Sequence, residues 1–327
     1  MSAKKLVILC FDHAQILDVT GPAQVFASVN KAYGRPEYEI TLASPEGTST
    51  AMCCGIRLET VPYTEIEGPV HTFIVAGGDG IRAAAEKDTL RAWVKTMADG
   101  AERVASVCTG TFLLAAAGVL AGKRAATHWR ATRALARMYP DIKVDEEALY
   151  VEDGRFWTSA GVTAGIDMSL AIVERDHGRA LAMEIARRLV VYARRPGFQS
   201  QFSTLLEGQV KSTSTIAKAV DWMSQNMGGN ISVADAADAA GMSERSFHRK
   251  FVAEMGTTPA RYLERLRLDA ARALLEKPDM PVKSVAASSG FGSSARLIQV
   301  FEKRFGLSPT AYRKLHGMQA SDQRSGF

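Results

Sequence analysis

Cysteine is scarce in this chain of 327 residues, which contains four: Cys10, Cys53, Cys54 and Cys108. Their irregular spacing fits neither a disulfide framework nor a CxxC metal pair, so a reducing cytoplasm is the expected setting. Long apolar runs are also missing, because the longest, residues 104–121, is interrupted at Cys108–Gly110 and is rich in Ala and Gly. It predicts a strand, a turn and a helix rather than a membrane span. We therefore expect no membrane partner, no metal and no cofactor.

No targeting segment is expected at the start of the chain. Five residues lead directly into the strand-like run LVILCF, so no secretory signal is expected. Hydrophobic residues make up 46% and charged residues 23%, which excludes a disordered or collagenous chain.

Charge is distributed unevenly along the chain. The whole sequence has a formal charge of +5, but residues 211–327 hold seventeen Lys and Arg against eleven Asp and Glu. The preceding residues hold 23 and 24 of the two classes. The positive excess therefore lies in the last third, which indicates an anionic partner such as nucleic acid.

Short β-branched runs alternate with helical patterns over the first 180 residues. This order predicts βαβ units and a mostly parallel sheet covered on both faces by helices, with ligands binding at the carboxyl ends of the strands. The predicted strands are 5–11, 39–43, 72–76, 103–107 and 155–159. The predicted helices are 22–32, 86–98, 111–120, 165–176 and 180–194.

The composition divides the chain into three parts. Residues 1–195 form the predicted α/β domain, which ends at the run Arg-Arg-Pro-Gly. Residues 196–215 are polar and rich in Ser, Thr and Gln, as is typical of a connector. Residues 216–320 have no strand pattern and predict an all-α domain.

An internal repeat organises the last third. Three residues of the first unit recur 49 positions later: Val233 and Val282, Ala237 and Ala286, Gly241 and Gly290. Four recur 50 positions later: Phe251 and Phe301, Gly256 and Gly306, Pro259 and Pro309, Tyr262 and Tyr312. An alanine four positions before a glycine suits a helix-turn-helix, because alanine lets two helices cross closely and glycine adopts a positive φ at low cost.

Each turn is followed by a helix with a polar outer face. The inward anchors are Phe247 and Phe251 in the first unit, and Leu297 and Phe301 in the second. The outward residues are Arg245, Ser246, His248, Arg249 and Lys250 in the first unit, and Ser293, Ser294, Arg296, Gln299 and Lys303 in the second. Arg pairs with guanine, Gln pairs with adenine, and Ser and Lys suit phosphates. A solvated face on a helical bundle is the alternative, which the tandem repeat disfavours.

The segments AADAAGMSERSFHRKFVAEMGTTPARYLERLRLDAARALLE and VAASSGFGSSARLIQVFEKRFGLSPTAYRKL resemble the AraC/XylS family of bacterial transcription regulators. The resemblance implies two recognition helices in successive major grooves, joined by a long helix at Pro259–Leu275. It carries Arg245, His248 and Arg249 of the first helix, and Ser294, Ala295, Arg296 and Gln299 of the second, onto DNA-facing positions. Ile298-Gln299 replaces a pair that is often polar and basic, so fewer phosphate contacts are expected from the second helix.

A cysteine lies at a bend between a predicted strand and a predicted helix. In VASVCTGT, Cys108 is placed close to a helix N-terminus, whose dipole can lower a thiol pKa. The amides near Thr109 suit an anion such as a carboxylate. Gly77 and Gly78 follow a neighbouring strand, and Asp18 follows the first strand. We predict that these residues line one ligand site rather than an inert core.

Residues 4–195 resemble the class I glutamine-amidotransferase-like (PfpI-type) fold. The resemblance is carried by FDHAQILDVTGPAQVF, IVAGGDG, SVCTGTFLLAAAGVLAGKRAATHW, TSAGVTAGIDMSLAIVERDHG and RRLVVYARRPGFQSQFS. It implies a flavodoxin-like sheet sandwiched by helices. Regulators of this architecture sense small amines, amino acids or betaine-like compounds and activate catabolic genes. The expected partners are therefore promoter DNA, a small-molecule effector, RNA polymerase and a second copy bound through the N-terminal domain.

Three classes of function remain open. A cysteine hydrolase needs a base, and His128 and His13 are the histidines placed to face the crevice. Asp18, Cys108 and Thr109 resemble the functional trio of isonitrile hydratase, which predicts a cysteine-dependent enzyme as the alternative. In the sensor interpretation, Asp18 attracts a cationic amine and Trp129 stacks on it beside His128. A DNA-architectural protein with a vestigial first domain is the third class. We predict a non-enzymatic transcriptional regulator.

Overall fold

A computed structural model describes residues 3–45, 47–191, 195, 197, 201, 215–275, 280–305 and 307–316. The chain divides into two compact units, Met1–Gln201 and Phe202–Phe327. The first unit contains a seven-stranded sheet and the second contains helices in its described part. This is the predicted fold class, an α/β unit followed by a helical one.

Seven strands of the first unit form the main sheet, in the order β10-β11-β7-β6-β1-β2-β5. Every pairing in it is parallel except that of β10 with β11. Residues Leu6 to Leu9 of β1 are fully buried, as expected for a strand covered on both faces. The strands are β1 Lys4–Leu9, β2 Tyr38–Ser44, β3 Ser49–Ala51, β4 Arg57–Glu59, β5 Val61–Pro62, β6 Thr72–Val75, β7 Arg103–Val107, β8 Arg124–Ala125, β9 Lys143–Val144, β10 Tyr150–Asp153 and β11 Phe156–Ser159.

The helices of the first unit pack in two groups. Helix α6 contacts both α1 and α7, whereas α2, α3 and α4 contact one another. The helices are α1 Ile16–Tyr33, α2 Ile81–Glu86, α3 Asp88–Gly100, α4 Thr111–Ala116, α5 Thr132–Met138, α6 Thr163–His177 and α7 Arg179–Arg188.

Element boundaries differ from the predicted ones at several places. Helix α1 begins six residues before Pro22, because hydrogen bonds from neighbouring loops to Asp18 fix its first turn. The predicted helix 86–98 is two helices, since Lys87 is extended. The predicted helix 111–120 ends at Ala116. The end of the predicted helix 180–194 lies outside the described residues.

A polar network lies at the opposite end of the sheet from Cys108, where β2, β6 and β7 begin. Arg103 makes a two-pronged ion pair with Asp176, at 2.6 and 2.9 Å. The Tyr38 hydroxyl contacts both Asp176, at 3.0 Å, and Nε2 of His177, at 2.9 Å. Burial lowers the pKa of His177 and of His71 below the usual value of 6.5.

This network predicts acid lability. The folded state holds His71 and His177 neutral at pH values where the unfolded chain already binds protons. The contribution of these two histidines to the free energy of unfolding is therefore fully present above about pH 6.5. It is lost as pH falls through the lower pKa values of the folded state. The Arg103 hydrogen bond lowers the pKa of Asp176 against the opposing effect of burial, which adds a loss of the same sign at more acidic pH. Thermal unfolding from pH 8 to pH 4 is expected to show a falling Tm. His177→Gln should reduce the slope, and an unchanged slope in both His71→Gln and His177→Gln would contradict the assignment.

The second unit contains two helix-turn-helix arrangements, as the repeat predicts. The helices of its described residues are α8 Thr215–Asn226, α9 Val233–Ala239, α10 Glu244–Met255, α11 Pro259–Leu275, α12 Val282–Ser288, α13 Ser294–Phe305 and α14 Pro309–His316. The joining helix α11 has the predicted bounds. The repeat is preserved in three dimensions, since the ring centroids of Phe251 and Tyr262 lie 5.4 Å apart and those of Phe301 and Tyr312 also lie 5.4 Å apart.

The two turn glycines are not equivalent. Gly241 and Gly290 both have positive φ, +64° and +77°. A Cβ at Gly241 would enter open space, whereas a Cβ at Gly290 would lie 1.9 Å from the carbonyl oxygen of Met227. The side chain of Arg267 on α11 donates to the carbonyls of Met227, Gly229 and Ile231, at 3.0–3.2 Å. The loop after α8 therefore contacts both the joining helix and the second turn.

Candidate functional site

Cys108 occupies the bend between β7 and the short helical turn that leads into α4. Its φ is +57°, in the left-handed region that residues with a side chain seldom adopt. Such strain in a native structure is typical of functional sites. The strand-turn-helix placement predicted for this cysteine is therefore confirmed, and the side chain is 8% exposed.

Asp18 is buried beside Cys108 and holds two loops. Its Oδ1 accepts a hydrogen bond from the backbone N–H of Val162 at 2.7 Å, and its Oδ2 accepts one from Gly77 at 3.2 Å. A side-chain hydrogen bond also joins Asp18 to Cys108. Burial raises the pKa of the carboxyl from 3.8 to about 6, although these hydrogen bonds oppose the shift.

The thiol of Cys108 is held in its neutral form. Burial raises its pKa to about 12, and the nearby carboxylate of Asp18 adds to the shift. Hydrogen bonds from the backbone and side chain of Thr109 act in the opposite direction. The expectation that this pKa is lowered is thus wrong, because burial and the Asp18 carboxylate outweigh the hydrogen bonds of Thr109.

Thr109 and Gly78 are joined directly. The Thr109 hydroxyl accepts a hydrogen bond from the N–H of Gly78 at 2.9 Å and lies 3.2 Å from the Gly78 carbonyl oxygen, to which it donates. A Cβ on the adjacent Gly77 would lie 2.5 Å from the backbone nitrogen of Thr109. The structure therefore brings together five of the predicted site residues: Asp18, Gly77, Gly78, Cys108 and Thr109.

Two further residues of the site precede α6. A Cβ on Gly161 would lie 2.2 Å from Cβ of Cys108, so only glycine allows this close approach. Val162 has a φ of +51° and supplies the N–H that binds Asp18. Gly161 in TSAGVTAG is a sequence signal for a turn, but nothing in the sequence assigns that turn to Cys108.

Among the contacts that the structure describes, none joins His128 or Trp129 to Cys108. Their neighbour Thr127 makes that contact, since its hydroxyl donates to the Cys108 carbonyl at 2.8 Å. His128 is half-buried, and burial lowers its pKa, with Arg130 adding to the shift. Trp129 is 42% exposed, and the Arg130 guanidinium lies 4.8 Å from its ring centroid.

Histidine contributes little to the electrostatics of this site. Within the described part of the chain, the groups that shift the pKa of Cys108 are Asp18 and Thr109. His13, the other predicted crevice histidine, is exposed with a φ of +62°. The described ranges contain no cluster of His, Cys, Asp or Glu arranged to hold a metal ion.

The outer face of α10 is basic and accessible. Phe247 and Phe251 are fully buried, as predicted, so the helix orientation is fixed. Four outward residues line a shallow surface depression: Arg245, Ser246, His248 and Arg249. Lys250 is also exposed. Guanidinium groups around a concave surface suit a phosphate backbone or base edges.

On the corresponding face of α13, one of the predicted DNA-contacting side chains already makes contacts within the protein. Leu297 and Phe301 are buried as predicted, and Ser293, Gln299 and Lys303 are exposed. Ser294 is half-buried at the start of the helix. Arg296 is exposed, but it is paired with Glu264 of the joining helix at 3.5 Å and with Oε1 of Gln299 at 3.4 Å. These intramolecular contacts compete with any contact of Arg296 to DNA.

Comparisons with known proteins agree with both halves of this architecture. A family model described as "DJ-1/PfpI family" matches residues 4–175, and one described as "Helix-turn-helix domain" matches residues 236–315. The chain is 27% identical over 307 residues to the HTH-type transcriptional regulator GbdR of Pseudomonas aeruginosa, and the match covers 94% of this chain and 83% of that protein. It is 33% identical over 198 residues to isonitrile hydratase of Pseudomonas putida, and this match covers 61% of this chain and 82% of the enzyme.

A solved structure shares the fold of the first unit. The AraC family transcriptional regulator from Pseudomonas putida has a TM-score of 0.52 at 18% identity, covering 57% of this chain and 99% of that one. Among the described helices, none has both the length and the hydropathy that crossing a bilayer requires.

The fold and these matches define a class, that of DNA-binding regulators with an α/β unit before a double helix-turn-helix. The chain belongs to the DJ-1/PfpI family and is an AraC-type transcriptional regulator of that family.

Proposed function

We propose that the N-terminal unit binds a small-molecule effector at the Cys108 site and that the bound state controls transcription from a promoter held by α10 and α13. In this proposal residues 1–195 sense the effector, 196–215 connect and 216–320 bind DNA. The observation that carries it is the strained Cys108, which Asp18, Gly161 and Thr109 hold in place at the carboxyl ends of parallel strands.

The chemistry of the site favours an amine, amino acid or betaine-like effector. A neutral thiol and the backbone amides of the turn suit a carboxylate or carbonyl oxygen. Trp129 follows Thr127 by two residues in the chain, and its exposed ring suits a cationic group. For the whole protein we also propose activation through RNA polymerase, a homodimer formed through the N-terminal unit, and a cytoplasmic location, as is usual for regulators of this architecture.

The effector assignment predicts a specific behaviour of Cys108→Ala. A thermal-shift screen of amino acids, betaines and polyamines is expected to identify a compound that raises the Tm of the full chain, because a ligand of the native state stabilises it. Cys108→Ala should reduce that shift and the change in transcription while leaving promoter affinity within twofold. Cys10→Ala, in the buried core, is the matched control for thiol removal. Loss of folding in Cys108→Ala alone would identify a core residue and refute the site.

The DNA-binding assignment predicts a salt-dependent loss in Arg249→Ala. Arg249 is exposed in the depression on α10, so its removal is expected to weaken promoter binding about tenfold. If the guanidinium contacts phosphate, the slope of log K against log salt should also fall by about one. Titrations of labelled promoter DNA at several salt concentrations measure both quantities. Arg82→Ala, at an exposed position on α2, is the charge-matched control.

A second candidate function is cysteine-dependent catalysis of the isonitrile hydratase type. The identity to that enzyme favours it, and Asp18, Cys108 and Thr109 lie together. Against it, the pKa of Cys108 is raised to about 12, so the thiolate nucleophile is scarce near neutral pH. Product formation from an isonitrile, abolished in Cys108→Ala, would establish catalysis. Binding without turnover supports the sensor.

A further inference from the structure

The chain that leaves the N-terminal unit is fastened to the surroundings of Cys108. Beyond residue 191, the described residues of this stretch are Arg195, Gly197 and Gln201, which we call the latch residues. Two of them lie in the segment predicted to be the connector. Arg195 binds helix α6, Gly197 accepts a hydrogen bond from Tyr150 of β10, and Gln201 binds the loops at Thr127 and before β10.

Gln201 makes the first attachment. Its Nε2 donates to the carbonyl oxygens of Thr127, at 2.9 Å, and Ala148, at 3.0 Å. Its backbone N–H donates to the carbonyl of Glu147 at 2.9 Å. Thr127 in turn donates its hydroxyl to the Cys108 carbonyl at 2.8 Å. Gln201 is therefore linked to Cys108 by two hydrogen bonds that share Thr127.

Arg195 makes the second attachment. Its guanidinium binds Oδ2 of Asp167 at 2.6 and 3.0 Å and the Thr163 hydroxyl at 2.7 Å. Its backbone N–H binds the other carboxylate oxygen of Asp167 at 3.0 Å. Thr163 follows Val162, the residue whose N–H holds Asp18. Arg195 thus holds the first turns of α6, which directly follow the loop that approaches Cys108 at Gly161.

The Gln201 attachment is incompletely satisfied. Its Oε1 is buried and has no hydrogen-bond partner among the residues that the structure describes. An unpaired buried acceptor disfavours the closed arrangement, so the two Nε2 hydrogen bonds are partly offset. A contact balanced in this way can open without disturbing the core of the sheet, whereas a fully satisfied one would resist opening.

We propose that the latch residues hold the Cys108 site closed, and that release of their hydrogen bonds opens the site. The inference rests on the proposed function, in which this site binds the effector. A ligand that binds the open arrangement more tightly shifts the population toward it. By reciprocity, releasing the latch makes Cys108 more accessible.

Alkylation of Cys108 by iodoacetamide tests the latch without effector or DNA. The thiol sulfur displaces iodide to form a thioether, and the thiol proton leaves as HI. The full chain carries Cys53→Ser and Cys54→Ser, because these two cysteines are exposed. Labelling is followed by mass spectrometry at Cys108 and at Cys10, a fully buried core cysteine that reports global unfolding.

In this background, Gln201→Ala is expected to raise the labelling rate of Cys108 at least tenfold while Cys10 is unaffected. Gln24→Ala is the matched control, since its amide makes a local contact to Ser28 on α1. Arg195→Lys keeps the charge opposite Asp167 but loses the two-pronged contact, and should act in the same direction. It also decides the outcome if Gln201→Ala does not fold. Unchanged labelling of Cys108, or a parallel rise at Cys10, would overturn the latch. Either result leaves the effector assignment to be judged by the Cys108→Ala experiment.

Discussion

Asp18→Ala is expected to lower the free energy of unfolding of the N-terminal unit by about 2–4 kcal/mol. The substitution removes the acceptor for the N–H groups of Gly77 and Val162. An unsatisfied buried donor costs about 1–3 kcal/mol, and two are created here. The raised pKa of Asp18 shows that burial of its charge is itself unfavourable, which keeps the net loss below the sum of the two donors. Urea unfolding followed by tryptophan fluorescence measures the change.

The controls for this prediction separate hydrogen bonding from charge. Asp18→Asn keeps one acceptor oxygen and should cost less than Asp18→Ala. Asp79→Ala, at an exposed position of the adjacent glycine loop, should stay within about 0.5 kcal/mol of the parent chain. If Asp18→Ala matches Asp79→Ala, the two loops are not held by this carboxylate.

Gly290→Ala is expected to destabilise the second unit by about 2–5 kcal/mol and to abolish measurable promoter binding. The positive φ alone costs a residue with a Cβ about 1–2 kcal/mol. The overlap with the Met227 carbonyl, at 1.9 Å, forces the backbone to move and adds about 1–3 kcal/mol. Circular dichroism during thermal unfolding and titration with promoter DNA measure the two effects.

Gly241→Ala is the matched control, because it has a similar φ and open space around its Cβ. It should show the conformational cost of about 1–2 kcal/mol and retain promoter binding. Equal effects of the two substitutions would mean that the loop after α8 does not restrain the second turn.

The sequence was informative where local patterns decide the structure. Alternating strand and helix patterns predicted the parallel sheet, and the repeat predicted both helix-turn-helix units and the bounds of α11. The rule that ligand-binding loops follow the carboxyl ends of parallel strands grouped Cys108, Thr109 and Gly78 correctly. The inward positions of Phe247 and Leu297 followed from helical spacing.

Long-range contacts were beyond reach of the sequence. The hydrogen bond from the Val162 N–H to Asp18 joins residues 144 positions apart, and the one from Gln201 to the Thr127 carbonyl joins residues 74 positions apart. Neither follows from any local sequence pattern. The direction of the Cys108 pKa shift was wrong for the same reason. A helix N-terminus is visible in sequence, whereas burial and the nearby carboxylate depend on the assembled fold. The pairing of Arg296 with Glu264 likewise joins two separate helices.

The three carbonyls held by Arg267 have a consequence for the promoter. The Arg267 guanidinium joins the loop after α8 to the joining helix, and that loop also contacts Gly290. We therefore expect the two helix-turn-helix units to keep a fixed orientation relative to each other. If both units bind DNA as proposed, the helical phase of the duplex must match a spacing set by the protein. Insertion of about five base pairs between the two contact sites would turn one of them to the far side of the DNA, where no flexing of this unit could recover it.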